Sequence, residues 1–397
     1  MKYIFLGGYY PIEFRDDFRK NSKRGYQMAA NVFQESLLDG FYQNGIDLSI
    51  ISFPFLSSYP FGYKNPIVRG GTFSYKDKFQ GFVTSFFNVP FLRFKINNLE
   101  ELIKSYLLVD EDVTLLVYSV QVHFLKQVVR IKNKYPKVKV CLIVPDLPEF
   151  MGCNSIYEKL GLKKRDLDYI YKSIDKVDSF VFLTDSMAKH FKVQDKPWIR
   201  VEGIYTPKLS LENVDKEDKV ILYAGALLEK YGIKTLIDAF RIIEDKNYKL
   251  WICGDGSYRD TILDICKTDK RIIFKGLVTH DEVLLLQRKA SLLVNPRTPD
   301  GEYTKYSFPS KTMEYIASGT PTLMYKLPAM PDEYIPYFFQ IESNSTPGRL
   351  AEQIQTICGM DSQEIRTFGV KASTFIKNEK NSKIQTLKII NMLRDIS

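Results

Sequence analysis

The residues best suited to chemistry lie between Ser307 and Pro321, where the sequence predicts a short helix. Ser307 is a suitable N-cap, while Gly319 and Pro321 end the helix. At about 100° per residue, Ser307, Lys311 and Glu314 share one side of this helix, and apolar residues share the other. The N–H groups of the helix start and the lysine can bind a phosphate, and the glutamate can accept hydrogen bonds from sugar hydroxyls. An ordinary capped surface helix is the alternative interpretation.

Glycine turns and further cations follow strands that are predicted in the second half. Gly225, Gly254 and Asp255 come just after predicted strands, Arg297 follows another, and Lys230 lies beyond the first turn. Glycine lets a ligand approach the backbone closely, and a cation there can neutralise an anion. Because ligands of parallel α/β sheets lie beyond the carboxyl ends of the strands, these residues are candidates for one binding site. Each glycine alone is weak evidence, because glycine is also a usual turn residue.

Candidates in the first half each have an ordinary structural alternative. Asp146 and Glu149 follow a predicted strand, and Asp146 can contact an acceptor hydroxyl or a donor sugar. An aspartate that caps a turn fits the same position. His123 lies near a predicted helix start, although a single histidine is more often structural. Gln27 and Asn31, near the start of a predicted helix, are candidates for binding acceptor hydroxyls, as is Glu149.

Strand-like and helix-like segments alternate along the whole chain of 397 residues. This alternation predicts an α/β fold with parallel sheets covered on both faces, and the length favours two domains. We place the first domain at residues 1–202 and the second at 203–380, with a polar connector at the boundary. The last helix, within 381–397, is predicted to pack back on the first domain. Two doubly wound domains of this kind are expected to face each other across a deep cleft.

Composition argues against several classes of protein. The five cysteines are scattered and there are three histidines, so neither a disulfide framework nor a structural zinc site is expected. Acidic pairs do not form a convincing metal motif, and we predict a reaction without metal or cofactor. No apolar stretch reaches the roughly 18 residues that span a bilayer, and the first apolar run suits a strand better than a signal peptide. These features favour a cytoplasmic protein.

Charge and aromatic residues set the first half apart. It carries nearly all of the formal net charge of +9. Residues 54–97 lack clean periodicity, and within them residues 82–95 combine phenylalanines with basic residues at the end. This composition suits a membrane interface, so we expect peripheral contact with the inner face of a membrane and a lipid-linked acceptor. Burial of the phenylalanines and a solvated basic surface are the alternatives.

At this point the second half resembles the second domain of family 4 glycosyltransferases with the two-Rossmann-domain GT-B fold. The resemblance covers about residues 219–325 and depends on the order of several motifs. They are YAG, WICGDG, FKGLVTHDEV, ASLLVNP and SFPSKTMEYIASGTP. The segment FPSK followed by EY resembles members that assemble bacterial surface polysaccharides. The first half is similar to the acceptor-binding domain of these enzymes, but less sharply.

The resemblance implies transfer of a sugar from a nucleotide diphosphate sugar, with retention of the anomeric configuration. It implies that Glu314 binds the nucleotide ribose, that the segment with Leu277 and Val278 contacts the base, and that the helix start with Lys311 meets the diphosphate. The other donor contacts expected from the motifs and the resemblance are Gly7, Gly8, Gly225, Gly254, Asp255, Arg297, Tyr306, Ser307 and Ser310.

Three positions depart from the family pattern. Tyr306 stands where the family has the first glutamate of its motif, which orients the donor sugar. Ala226 replaces an arginine, and Tyr231 occupies the usual lysine position, with Lys230 one residue earlier. We therefore hypothesise that Lys230 and Lys311 together neutralise the diphosphate.

These observations favour a glycosyltransferase that moves a hexose or N-acetylhexosamine, with UDP as the family's usual nucleotide. The acceptor is expected to be a saccharide or a polyprenyl-diphosphate-linked saccharide in surface polysaccharide synthesis. The candidate catalytic residues are Lys230, Lys311, Asp146 and His123. The alternative is a catalytically inactive nucleotide-sugar-binding partner subunit, which the departures motivate. A nicotinamide-dependent oxidoreductase lacks its full glycine fingerprint here, and no basic stripe with stacking aromatics supports a nucleic-acid partner.

Overall fold

The computed structural model describes residues 1–23, 27–90, 99–107, 111–151, 161–207 and 214–396. The chain divides into two compact units. Unit 1 comprises Met1–Ile204 and Ser382–Ser397, and unit 2 comprises Tyr205–Asn381. These divisions lie within two residues of the boundaries predicted at 202 and 380.

Unit 1 contains an eight-stranded sheet and a small two-stranded ribbon. The order in the sheet is β10-β9-β8-β7-β1-β2-β5-β4, and all neighbours are parallel except β4 and β5. The strands are β1 Lys2–Gly7, β2 Leu48–Ser52, β3 Ile67–Val68, β4 Gly71–Tyr75, β5 Phe79–Val83, β6 Phe86–Phe87, β7 Val113–Tyr118, β8 Lys139–Val144, β9 Ser179–Phe182 and β10 Trp198–Arg200. Strands β3 and β6 form the antiparallel ribbon.

Unit 2 contains a six-stranded parallel sheet in the order β13-β12-β11-β14-β15-β16. Its strands are β11 Val220–Ala224, β12 Lys249–Cys253, β13 Ile272–Gly276, β14 Leu292–Asn295, β15 Thr322–Met324 and β16 Phe339–Gln340. Counted within the unit, this order is the 3-2-1-4-5-6 order of a doubly wound sheet. Ile221 and Tyr223 pack in the core on one face of β11, while Leu222 packs on the other, so both faces are covered.

Helices cover the two sheets. In unit 1 they are α1 Ile12–Asn21, α2 Met28–Gln43, α3 Leu99–Leu107, α4 Val122–Lys134, α5 Leu162–Ser173 and α6 Asp185–Phe191. In unit 2 they are α7 Ile233–Ile242, α8 Arg259–Thr268, α9 His280–Lys289, α10 Ser310–Ala317, α11 Pro347–Cys358 and α12 Ser362–Glu379. A final helix, α13, covers Ser382–Asp395. Short 3-10 helices occur at Pro148–Phe150, Ile174–Lys176, Glu229–Tyr231, Glu302–Lys305 and Asp332–Tyr337.

The final helix packs on α2 of unit 1. Ile389 and Ile390 of this helix are fully buried. A Cβ at Gly40 of α2 would come within 2.0 Å of Thr386 Oγ1, so glycine is required for the close approach of the two helices. Asn44 Nδ2 adds a hydrogen bond of 2.8 Å to the carbonyl oxygen of Lys383. The C-terminal helix therefore completes the core of the unit that begins the chain.

In its described part, residues 54–90, the segment that lacked periodicity contains four short strands, β3 to β6. The phenylalanines of residues 82–90 divide between core and surface, and residues 91–95 of the aromatic stretch lie outside the described residues. Phe86 is buried and its ring stacks on Phe53 at 4.2 Å between centroids, whereas Phe87 is 59% exposed. The described part of the aromatic stretch is therefore partly buried and partly exposed.

Candidate active site

Helix α10 has the predicted faces but not the predicted start. Met313, Ile316 and Ala317 are buried, while Lys311 and Glu314 face away from this core. The helix begins at Ser310, and Pro309 occupies the N-cap position without a side-chain hydrogen bond to the helix. The prediction of Ser307 as the N-cap is wrong. The reason is local, because proline disfavours a helical conformation of the preceding Phe308, and Pro309 itself is extended with ψ 115°.

Lys311 and Tyr315 fasten this helix to the carboxyl end of β11, the central strand at which the order of the sheet reverses. Lys311 Nζ donates a hydrogen bond of 3.1 Å to the carbonyl oxygen of Ala224. The Tyr315 hydroxyl accepts from the Ala224 N–H at 2.9 Å and donates to the same carbonyl at 3.1 Å. Burial lowers the pKa of the Lys311 ammonium below its usual value, and the nearby Glu314 opposes this change. A cation therefore lies where ligands of such sheets bind.

Glu314 is held at one carboxylate oxygen. Gln287 of α9, which is fully buried, donates from Nε2 to Glu314 Oε1 at 2.8 Å. The other oxygen, Oε2, lies 3.5 Å from His280 Nε2. The Glu314 side chain keeps 23% of its surface exposed, so the carboxylate is oriented but accessible. Gln287 and Tyr315 are not among the residues predicted from the sequence, because each lies on the side of its helix that packs in the core.

The glycine turns of unit 2 pack against one another. Gly225 N donates to the carbonyl oxygen of Cys253 at 3.0 Å, and Gly254 N donates to that of Gly276 at 2.9 Å. Gly254 has φ 136°, and a Cβ there would meet the Gly225 carbonyl oxygen at 1.8 Å. The expectation that these glycines let a ligand approach therefore needs correction. Glycine is required at this position for turn-to-turn packing, and both N–H groups already have backbone partners.

Lys230 and Arg297 meet around one aromatic ring. Lys230 Nζ lies 5.3 Å from the centroid of the Tyr231 ring, and the Arg297 guanidinium lies 5.3 Å from the same centroid. The Tyr303 ring lies 5.0 Å from the guanidinium as well. Gly232, with φ 81°, allows this approach, because a Cβ there would come within 2.2 Å of the Pro296 carbonyl oxygen. The two predicted cations are thus brought together, with an aromatic support that the spacing did not reveal.

The remaining donor candidates of unit 2 differ in their exposure. Leu277 is 77% exposed, whereas Val278 packs partly against the core next to β11. Asp255 is exposed, and its Oδ1 accepts from Gly256 N at 2.9 Å. Ser307 and Tyr306 are half-buried, and Tyr306 follows the 3-10 helix Glu302–Lys305. Ser310 is the first residue of α10.

Three of the first-half candidates line one cavity in unit 1 with a volume of about 820 Å³. They are Gln27 at the start of α2, His123 at the start of α4, and Asp146 after β8. His123 is 8% exposed, and its ring lies 5.0 Å from the ring of Phe53 between centroids. Burial raises the pKa of the Asp146 carboxyl above its usual value, which makes its carboxylate a stronger base. Apolar walls with a few polar groups are typical of a small-molecule site.

The other first-half candidates have structural partners. Asn31 is 2% exposed, and its Oδ1 accepts from the Tyr10 N–H at 2.7 Å. The Gly8 N–H donates to Gln34 Oε1 at 2.8 Å, and a Cβ at Gly8 would meet the Phe55 ring at 2.4 Å. The turn after β1 is thus closed by buried amides of α2. The structure gives no support to Asn31 as an acceptor contact or to the Gly8 N–H as a phosphate donor.

Gly7 and Glu149 are constrained in the same way. A Cβ at Gly7 would come within 2.4 Å of Gln34 Oε1, so glycine is needed here for packing. One oxygen of Glu149 accepts from the Tyr171 hydroxyl and lies 3.2 Å from His190 Nε2. Glu149 therefore joins a neighbouring cluster, and its acceptor role stays a prediction.

The described part of the chain shows neither a metal-binding cluster nor a membrane-spanning helix. Within that part of the chain, no group of three or more histidine, cysteine, aspartate or glutamate side chains could hold a metal ion. No helix of the described ranges has the length and apolar character needed to cross a bilayer.

Known proteins resemble part of this chain in sequence. Residues 210–367 match the protein family described as Glycosyl transferases group 1. An uncharacterized glycosyltransferase of Methanocaldococcus jannaschii is 32% identical over 115 residues, which are 28% of this chain and 28% of that protein. The alignment with this relative thus spans just over a quarter of its length.

Solved structures resemble the whole chain. Sucrose-phosphate synthase from Thermosynechococcus elongatus has a TM-score of 0.60 with 13% identity, covering 100% of this chain and 99% of that one. A glycosyltransferase from Rickettsia africae has a TM-score of 0.61 with 13% identity, covering 100% and 98%. Anabaena HepE, solved with UDP, has a TM-score of 0.58 with 12% identity, covering 100% of both chains.

These likenesses confirm the fold predicted from the sequence, with two Rossmann-like α/β domains of the GT-B type. The match to the group 1 glycosyltransferase family at residues 210–367 lies within unit 2, the unit in which the sequence motifs were found. The resemblance to family 4-like glycosyltransferases is therefore confirmed.

Proposed function

We propose that this protein transfers a hexose or N-acetylhexosamine from a nucleotide diphosphate sugar, with UDP as the nucleotide. The acceptor is a saccharide or a polyprenyl-diphosphate-linked saccharide in the synthesis of a surface polysaccharide. The reaction retains the anomeric configuration and needs no metal. The observation that best supports this proposal is the pair Lys311 and Glu314 on α10. Tyr315 of the same helix bonds to the carboxyl end of β11, within the residues that match the group 1 family.

The donor side of this proposal concerns charge. Breaking the bond between sugar and phosphate places negative charge on the leaving diphosphate. Lys311 and the N–H groups at the start of α10 can stabilise this charge, because they are fixed before the reaction begins. Lys230 and Arg297 supply two further cations around Tyr231. Glu314, oriented by Gln287, accepts hydrogen bonds from the ribose hydroxyls.

The acceptor side of this proposal depends on a general base and on aromatic side chains that can contact a sugar. The cavity of unit 1 presents Asp146 and His123 among aromatic side chains that can pack on a saccharide. A carboxyl whose pKa is raised is better suited to take a proton from the acceptor hydroxyl. We assign the role of general base to Asp146 and a role in sugar contact to His123 and Gln27.

A panel of UDP-, GDP- and TDP-sugars tests the proposal. The matching donor should raise the melting temperature, since a ligand at about 100 times its Kd adds about 2.7 kcal/mol to the free energy of unfolding. Donor hydrolysis and transfer are then measured with the same sugar. Lys311→Ala should lose the thermal shift, while Lys371→Ala, an exposed lysine of α12, should keep it. The proposal fails if no nucleotide sugar stabilises the protein.

A nucleotide-sugar-binding partner subunit without activity is the second candidate. It is favoured by Tyr306, which stands where the family pattern has a glutamate. In that case a nucleotide sugar raises the melting temperature, but neither hydrolysis nor transfer occurs with any acceptor. Tyr306→Glu is the informative variant, because gain of turnover would identify the tyrosine as the cause of inactivity.

A further inference from the structure

The antiparallel ribbon of unit 1 has one buried and one exposed face. Val68 and Phe86 face the core and are 2% and 5% exposed. Ile67 and Phe87 lie opposite each other in the ribbon and are 49% and 59% exposed. Directly opposed residues of two paired strands share one face, so these two large apolar side chains form one exposed surface.

A third exposed apolar side chain lies in a loop that is hydrogen-bonded to the end of this ribbon. Phe61 is 80% exposed, in the loop that leads into β3. The buried Asn88, next to Phe87, ties this loop to the ribbon. Its carbonyl oxygen accepts from Tyr59 N at 2.8 Å, and its own N–H donates to the Pro66 carbonyl at 2.7 Å. Phe61, Ile67 and Phe87 together are termed the ribbon patch.

Lysines surround the loop that carries Phe61. Lys23 Nζ donates to the Pro60 carbonyl oxygen at 2.7 Å, and Lys64 Nζ donates to the Lys20 carbonyl oxygen at 2.6 Å. Lys20, Lys23 and Lys64 are all exposed. The nearby acidic residue Asp17 has one carboxylate oxygen that accepts from Asn21 Nδ2 at 2.9 Å. Among the described residues of this region, the exposed cations Arg19, Lys20, Lys23 and Lys64 outnumber the exposed acids Asp16 and Asp17.

We infer that the ribbon patch is a membrane-docking surface for bilayers with anionic lipids. Phenylalanine and isoleucine can enter the headgroup boundary, while the adjacent lysines attract anionic headgroups. A second copy of this chain is a poorer occupant, because two copies of the same lysine cluster would repel each other. The biological purpose depends on the proposed function, a lipid-linked acceptor, whereas the binding is a property of this surface alone.

Sedimentation with lipid vesicles tests the inference. The protein should bind vesicles of phosphatidylcholine and phosphatidylglycerol, and bind vesicles of phosphatidylcholine alone much more weakly. The double variant Phe61→Ser with Phe87→Ser should weaken binding about tenfold through loss of apolar contact. The double variant Lys20→Glu with Lys64→Glu should weaken vesicle binding at least tenfold, because attraction to anionic headgroups is replaced by repulsion. Added salt should weaken wild-type binding.

Matched controls come from unit 2. Ile242→Ser removes an apolar side chain that is 52% exposed, and Lys246→Glu reverses an exposed lysine. Both should bind vesicles like the wild type. Failure of the wild type to bind, equal binding by the ribbon variants, or a changed oligomeric state instead of lost vesicle binding would each overturn the inference. Hydrolysis of a soluble nucleotide sugar should be the same in all variants, so failure of the proposed function would be seen separately.

Discussion

The turns after β1 and β11 occupy equivalent places in the two units but are closed by different chemistry. After β1, neutral amides of α2 take the backbone groups, with Gln34 bonded to Gly8 and Asn31 bonded to Tyr10. After β11, the Tyr315 hydroxyl and the Lys311 ammonium take the backbone groups of Ala224.

The difference shows how one topology can serve two kinds of ligand. Unit 1 presents a cavity with aromatic walls, a histidine and a carboxyl, which suits hydroxyl groups. Unit 2 presents cations at a helix start, which suits an anion. The predictions below test whether donor and acceptor chemistry divide between the units in this way.

Lys311→Ala should have the largest effect. Loss of a fixed cation that stabilises the leaving diphosphate should lower kcat by about 10²- to 10³-fold. Because the cation acts on the donor, hydrolysis of the nucleotide sugar and transfer to an acceptor should fall together. Steady-state kinetics of both reactions check this, and a variant that retains wild-type kcat would contradict the assignment.

Asp146→Asn should separate the two reactions. Transfer should fall about 100-fold, in the range of general-base catalysis, while donor hydrolysis without acceptor should persist. The wild-type transfer rate should fall on acidification, and its midpoint should lie above the usual pH for an aspartate because the pKa is raised. Equal loss of hydrolysis and transfer would show that Asp146 acts on the donor instead.

Asp146→Asn should lower the transfer rate but raise the free energy of unfolding. A carboxyl whose folded pKa is raised above its unfolded value binds its proton more tightly in the native state. The free energy of unfolding therefore falls as the pH rises through these values. Asp146→Asn should be more stable than the wild type at neutral pH, and this gain should disappear below the unfolded pKa. Urea unfolding at two pH values measures the change.

Tyr315→Phe tests the anchor in unit 2. It leaves the Ala224 N–H without its side-chain partner in a buried position, which should cost about 1–3 kcal/mol of unfolding free energy. Tyr258→Phe is a matched control on a half-buried tyrosine and should change stability by less than about 0.5 kcal/mol. Equal stability of both variants in urea would show that the Tyr315 hydroxyl does not stabilise unit 2.

Gln287→Leu should have the smallest effect. It keeps the volume of the side chain but releases the Glu314 carboxylate, so the donor KM should rise about fivefold, as for the loss of one hydrogen bond. The value of kcat should change little, because ribose contacts are equal in ground and transition states. A fall in kcat without a change in KM would argue against the positioning role.

The sequence predicted what depends on local periodicity. The spacing of Lys311 and Glu314 against Met313, Ile316 and Ala317 identified the faces of α10, and the glycines at the ends of β1, β11 and β12 located the turns there. The sequence did not predict contacts between distant residues. Tyr315 meets a strand end 91 residues earlier, and Gln287 meets Glu314 across 27 residues. No local pattern encodes either pair.

Misplaced candidates have the same origin. Ser307 has the right residue type for a cap, yet the extended Pro309 and its restriction of Phe308 place the start of α10 at Ser310. Asn31 has the right type for a sugar contact, yet the nearby Tyr10 N–H needs an acceptor in the core. Residue type shows what a side chain can do, and the buried backbone groups around it decide which use prevails.

The position of α13 on α2 has a consequence for biosynthesis. Gly40 is synthesised before the whole of unit 2, whereas its partner Thr386 is synthesised after unit 2. The domain with the group 1 match can therefore become compact on the nascent chain while the earlier half still lacks its closing helix. Truncation of the chain before residue 382 should therefore leave unit 1 unfolded and unit 2 folded, although most of unit 1 is synthesised first.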